Sequence, residues 1–129
     1  MTAPLVSRAR DVLAHAYAPY SRFRVGAALE ASDGRIFVGT NVESASYGVT
    51  LCAERVAVGA AVAGGARAFR RIAVATEVEP PAAPCGACRQ LLAEFGTDVE
   101  VVAAGPTTER HWRLEALLPD AFTARALGR

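Results

Sequence analysis

The chain is short of most features that would point to a large charged ligand or a membrane. Its 14 Lys plus Arg nearly cancel 13 Asp plus Glu, leaving a formal net charge of +1 and a pI near 7.8. No basic run disturbs that balance. Arg67 with Arg70 and Arg71 comes nearest, and reads as a solvated helix-to-strand connection. An electrostatic groove for a polyphosphate chain is therefore excluded, and no nucleic acid is expected as a partner. No apolar run approaches the ~20 residues of a membrane span. Arg8, Arg10 and Asp11 interrupt the N-terminus too early for the apolar core of a secretory signal. No membrane partner is expected, and the expected compartment is the cytoplasm. Histidine is limited to two copies and cysteine to three. An odd cysteine count in a reducing compartment argues against disulfides and favours metal binding or catalysis. Repeats, linkers and low-complexity tracts are absent, so residues 1–129 are expected to form a single domain.

What the chain does have is apolar material, 52% of its residues, with a mean hydropathy of +0.21. The richness in Ala and Val suggests apolar surface covered by another subunit. Pro4 followed by Leu5, Ala9, Val12, Leu13 and Ala16 predicts an amphipathic helix over 4–16. Phe23, Val25, Ala27 and Leu29 alternate, turn at Ser32-Asp33-Gly34, and return through 36–39: a hairpin. Residues 53–63 read as a buried helix stopped by Gly64-Gly65. A strand at 71–76 leads through a loop at 78–84 with three prolines into a helix over 86–95, closed by Gly96. A strand at 99–103 and a short helix at 114–118 complete the pattern. This order predicts an α/β layered domain with a mixed sheet: an antiparallel hairpin, then parallel strands joined by helices.

The chemistry concentrates in Cys52-Ala53-Glu54 and Pro84-Cys85-Gly86-Ala87-Cys88, which hold all three cysteines. Three thiolates fill three corners of a zinc tetrahedron and leave the fourth open, as in catalytic rather than structural sites. Water held there is acidified and needs only a base, for which Glu54 is placed. Both cysteine groups fall at predicted helix starts, whose dipoles and free amides favour thiolate. Three thiolates carry excess negative charge, and Arg55 is the candidate to neutralise it. Other readings stay open here. A redox Cys-x-x-Cys pair needs no distant Cys-x-Glu. A closed structural zinc would require His15, on the first helix, or His111 as a fourth ligand. A non-catalytic, zinc-stabilised binding protein would share the cysteines.

The pattern Cys-x-Glu followed by Pro-Cys-x-x-Cys is the three-cysteine variant of the zinc deaminase signature. With its flanks, the chain resembles the small homotetrameric cytidine deaminases over nearly its whole length. The matching runs are Tyr20-Ser21-Arg22-Phe23-Arg24-Val25-Gly26-Ala27-Ala28, Asn41-Val42-Glu43, Cys52-Ala53-Glu54-Arg55, Pro84-Cys85-Gly86-Ala87-Cys88-Arg89-Gln90 and Leu117-Leu118-Pro119-Asp120-Ala121-Phe122. The resemblance implies a three-layer α/β/α cytidine deaminase-like fold with a central mixed sheet of about five strands.

It also implies one zinc ion per subunit on Cys52, Cys85 and Cys88, and Glu54 as the catalytic proton shuttle. Substrate-binding roles follow for Phe23 against the pyrimidine, Asn41 and Glu43 on the ribose 3′-hydroxyl, and Ala53 through its backbone. Phe23 also reads as a core aromatic on the first strand. Tyr47 and Phe122 match positions that reach into a neighbouring subunit's site in tetrameric relatives, or else pack as ordinary core or interface residues. The implied reaction is hydrolytic deamination of free cytidine and deoxycytidine in pyrimidine salvage: activated water attacks C4 and ammonia leaves. Glu43 would repel a 3′-phosphate, which favours free nucleosides over nucleotides and polynucleotides. A deaminase of a cytosine-containing antibiotic, of the blasticidin S type, is the enzyme alternative. Trp112, flanked by Arg110 and Arg113, is expected only as a packed edge near the C-terminus.

Overall fold

The computed structural model describes residues 2–129. With Pro4 in its first turn, helix α1 (Ala3–Leu13) opens the chain. Strands β1 (Val25–Ala31) and β2 (Ile36–Thr40) form the expected hairpin, and helix α2 (Ala53–Ala63) follows. Strand β3 (Phe69–Thr76), helix α3 (Gly86–Ala93), strands β4 (Glu100–Ala104) and β5 (Glu109–Arg113), and the short helix α4 (Leu114–Leu117) complete the order. The strands form one sheet in the order β2-β1-β3-β4-β5. β3 and β4 run parallel across the α3 crossover, and the other neighbouring pairs are antiparallel. Among the described residues, no helix is long and apolar enough to cross a membrane.

Strand alternation divides the apolar residues between two faces. Ala28, Ala73, Ala75, Val102 and Ala104 meet Leu5, Val6, Ala9 and Leu13 of α1. Ala27, Leu29, Ile72, Val74 and Val101 meet Ala53, Ala57, Val58 and Ala61 of α2, Leu92 of α3, and Leu114. Helices thus cover both faces, giving the three-layer α/β/α architecture and its five-stranded mixed sheet. Fully burying a Leu or Ile here is worth about 1.5–3 kcal/mol over leaving it exposed. The small residues set the spacing between layers. At Gly39 on β2, an added Cβ would stand 2.5 Å from both Ala53 O and Ala57 N, so α2 lies directly on the strand. Gly26 similarly admits the backbone of α1 at Ala9 and Leu13.

Four details differ from the sequence expectation. Helix α1 ends at Leu13, where His15 N and Ala16 N donate to Val12 O and Leu13 O in a tight turn. His15 therefore lies exposed in that turn rather than on the helix. β3 starts at Phe69, two residues before the expected strand, so Arg70 joins Arg71 in the strand while its side chain stays exposed. Arg70 pairs with Glu30 at 2.7 Å, and Arg71 lies 3.6 Å from both Glu30 and Glu100. Phe23 precedes β1 instead of lying on it. Finally, Glu109–Arg113 forms an edge strand that carries little apolar pattern, because only Trp112 packs against the core. Arg110 covers the indole at 4.6 Å, and the charged neighbours suit an unpaired sheet edge.

Candidate active site

Two helix starts converge on one point. Cys52 is the N-cap residue of α2 and Cys85 that of α3, both in extended backbone, with Cys88 in the first turn of α3. Strands β1 and β3 end beside them, since Val25 pairs with Thr76 at the last rung of that ladder. The three Sγ atoms lie within 4.8 Å of one another, and Cys85 Sγ is 3.5 Å from Cys88 Sγ. Among the described residues no fourth Cys, His, Asp or Glu joins this group. Cys88 is fully buried, Cys52 half-buried and Cys85 exposed.

The electrostatics differ among the thiols. Burial pushes the Cys88 thiol far up, assisted by the nearby Glu54 carboxylate. At Cys85 burial acts upward too, but the backbone amides of Cys88 and Ala87 and the neighbouring sulfurs outweigh it and bring the thiol down. Glu54 sits in the first turn of α2, only 5% exposed. Burial raises its carboxyl above the ordinary range, opposed by backbone donation, the Cys88 thiol and the Arg55 charge. Arg55 Nη2 donates to Thr50 O at 3.0 Å and lies 3.8 Å from Cys52 Sγ. That sulfur is the main reason its guanidinium is held above its usual value. Its Nε is buried with no hydrogen-bond partner among the described residues.

A cavity of about 200 Å³ opens beside the sulfurs, walled by Phe23, Val25, Val74 and Ala82 with Cys52, Ala53, Glu54, Thr76 and Cys85. Of the residues singled out from sequence, Phe23, Ala53, Glu54 and two of the cysteines share this cavity. Glu43 and Tyr47 instead line a more open hollow of about 370 Å³ with Tyr20, Ser21 and Thr50. There Glu43 accepts from the backbone amides of Tyr20 at 3.0 Å and Ser21 at 3.1 Å, and from the Ser21 hydroxyl. The Ser21 hydroxyl is the main cause that holds this carboxyl below its usual value. Asn41 is buried and lines neither space. Its Nδ2 donates to Phe23 O at 2.7 Å and its Oδ1 accepts from Val25 N at 3.0 Å, so it fixes the chain on either side of Arg24. Phe122 lies exposed on the C-terminal segment, tied down where Gln90 Nε2 donates to Phe122 O at 2.7 Å.

Sequence reasoning overlooked Val25, Val74, Thr76, Ala82 and Ala83 as cavity walls, and Ser21 as the partner of Glu43. For Val25 and Val74 the period-2 pattern carried a signal, since both stand on the face that meets α2. Ala82 and Ala83 lie in a loop with no periodicity.

The donor set fits zinc. A tetrahedral ion at about 2.3 Å from sulfur separates its thiolates by about 3.8 Å, close to the spacing found. Three sulfurs leave one corner without a protein ligand, and the Arg55 guanidinium beside them offsets the excess charge of a thiolate cluster.

Comparisons with known proteins agree with that geometry. Residues 2–104 match the family model described as the cytidine and deoxycytidylate deaminase zinc-binding region. A cytidine deaminase of Halalkalibacterium halodurans is 44% identical over 122 residues, covering 93% of this chain and 92% of that protein. The crystal structure of a cytidine deaminase from Burkholderia pseudomallei superposes with a TM-score of 0.91 at 48% identity, covering 95% of this chain and 99% of that one. The crystal structure of the Mycobacterium tuberculosis cytidine deaminase gives a TM-score of 0.81 at 43% identity, over 92% of this chain and 94% of the other. The chain belongs to the cytidine and deoxycytidylate deaminase zinc-binding family, and is a zinc-dependent deaminase.

Proposed function

We propose that this protein hydrolyses free cytidine and deoxycytidine to uridine and deoxyuridine with release of ammonia, in pyrimidine salvage. The observation that carries the reading is the buried Glu54 carboxyl beside a three-sulfur cluster with an open corner, facing an apolar cavity. Bound zinc, on Cys52, Cys85 and Cys88, supplies the Lewis acidity that lets water release a proton near neutral pH. Glu54 accepts that proton as the water oxygen bonds to C4, and passes it to ring N3. It then takes the remaining proton of the hydroxyl added at C4 and delivers it to the exocyclic nitrogen, so that the C4–N bond breaks, ammonia leaves and C4 becomes a carbonyl. A carboxyl raised by burial suits this two-way traffic, because its proton affinity lies nearer to neutrality.

The remaining residues bind and orient. Phe23 flanks the pyrimidine, and the Ala53 backbone, at the start of α2, meets its polar edge. Glu43 faces the ribose 3′-hydroxyl from the neighbouring hollow, where its charge disfavours a 3′-phosphate. Asn41 keeps one amide hydrogen and one lone pair free for the same hydroxyl while fixing Phe23 and Val25. Tyr47 and Phe122, 75% and 62% exposed, are covered by neighbouring subunits in a homotetramer whose sites they complete. The whole chain, residues 1–129, acts as one such unit in the cytoplasm, with one zinc ion per subunit.

Ultraviolet assay of cytidine and deoxycytidine, with and without a zinc chelator, tests the reading. Conversion that chelation abolishes and zinc restores supports it. Zinc-loaded protein that releases no ammonia from either nucleoside overturns it, and sedimentation reads the tetramer.

A further inference from the structure

The β1–β3 ladder has one more rung than its backbone pairing. Val25 and Thr76 are its last antiparallel partners, so the same register sets Arg24 opposite Glu77. The backbone ladder ends there, since β1 begins at Val25 and β3 stops at Thr76. Phe23 and Val25, on either side of Arg24, and Ala82, Ala83 and Cys85, further along the chain from Glu77, all line the cavity. The side chains of Arg24 and Glu77 continue the pairing by one position. Arg24 Nε donates to Glu77 Oε1 at 3.0 Å and Nη2 to Oε2 at 2.6 Å, a two-pronged fork. Single exposed ion pairs contribute little as a rule. A bidentate guanidinium–carboxylate fork is the favourable exception, because both partners are held in one plane. Mutual hydrogen bonding raises the Arg24 guanidinium and lowers the Glu77 carboxyl. The segment is fastened a second time two residues on. Glu79 accepts from the hydroxyls of Thr107 at 3.2 Å and Thr108 at 2.8 Å, in the β4–β5 turn.

We propose that Arg24 and Glu77 are a positioning pair for substrate: their fork sets how far the two cavity walls stand apart, and so how tightly the nucleoside is held. This rests on the reading of the cavity as the nucleoside site. Neither residue need touch substrate or metal. The pair acts through Phe23 on one side and through the segment leading to Cys85 on the other.

The test compares zinc-loaded wild type with Arg24→Gln, Glu77→Gln, the double variant, and the charge-swapped pair Arg24→Glu with Glu77→Arg. With cytidine, each single change is expected to raise KM roughly fivefold with a smaller effect on kcat. The double variant should match the singles rather than multiply them. The swapped pair should recover most of the loss. Raising salt should increase KM of the wild type and leave the double variant unmoved. Hydrogen exchange read without substrate separates this proposal from the nucleoside reading. The amides at 24–26 and 76–78 should exchange faster in each single variant and slow again in the swapped pair. Unchanged exchange in the single variants overturns the proposal even if cytidine is turned over. So do additive single effects on KM, or lost kcat with KM intact.

Discussion

Around Cys52, Cys85 and Cys88 most of the walls come from secondary structure, two helix starts, two strand ends and a buried sheet face, with Phe23 and the loop at Ala82 and Ala83 making up the rest. The adjoining hollow, two residues back along the chain at Ser21 and again at Thr50, is made of loops fastened by exposed hydrogen bonds to Glu43. The first region is the smaller and less open and shifts its carboxyl upward; the second is more open and shifts its carboxyl downward. The contrast separates duties. Proton transfer in both directions is served by a carboxyl whose proton affinity burial has raised. In the proposed function, the ionised Glu43 carboxylate is the acceptor offered to a sugar hydroxyl.

Changes on the thiol side should therefore act on metal and turnover, and changes on the hollow side on KM and local stability. The largest effect is expected for Cys88→Ala, which removes the buried ligand. Metal analysis should find zinc content near zero, and the melting temperature should fall by about 10 °C or more. Glu54→Gln should keep full zinc content and lose roughly 10²–10⁴-fold in kcat. Near-normal turnover in that variant would erase the distinction between the two regions. Asn41→Ala removes two part-buried hydrogen bonds, from the Phe23 carbonyl and the Val25 amide, at a cost of about 2 kcal/mol. Denaturant unfolding should show that loss together with a raised KM. A stability loss with KM unmoved would assign Asn41 to the scaffold alone.

Glu43→Gln sharpens the contrast most gently. The folded protein holds this carboxyl below its unfolded value, chiefly through the Ser21 hydroxyl. Its contribution is therefore fully present above the ordinary carboxylate pKa and is lost as pH falls through the lowered one. Thermal melting from neutral to acid pH should show wild type losing this increment, with the Gln variant flatter over the same range.

The same division explains what the sequence could reveal. Cys52, Glu54, Cys85 and Cys88 were legible because metal chemistry demands particular residue types at fixed spacing, and helix starts announce themselves locally. The sheet faces were legible through alternation, as at Ala27 and Leu29. The Glu109–Arg113 strand was not, because an edge needs one apolar residue and otherwise charge. The engagement of Asn41 with Phe23 and Val25 was hidden too, since a side chain that bonds to backbone leaves no pattern in residue identity. Arg24 and Glu77, 53 positions apart, meet only through strand register.

Gly39 bears on how this enzyme would tolerate change. It holds no metal and offers no side chain, yet the turn carrying Ala53 and Glu54 rests on its bare α-carbon. One methyl there would lift that turn off the strand and move the carboxyl away from the sulfurs. A map of every substitution scored by activity would colour Gly39 like a residue that handles substrate. Someone redesigning the pocket could alter its visible walls more freely than this single hydrogen atom on a neighbouring strand.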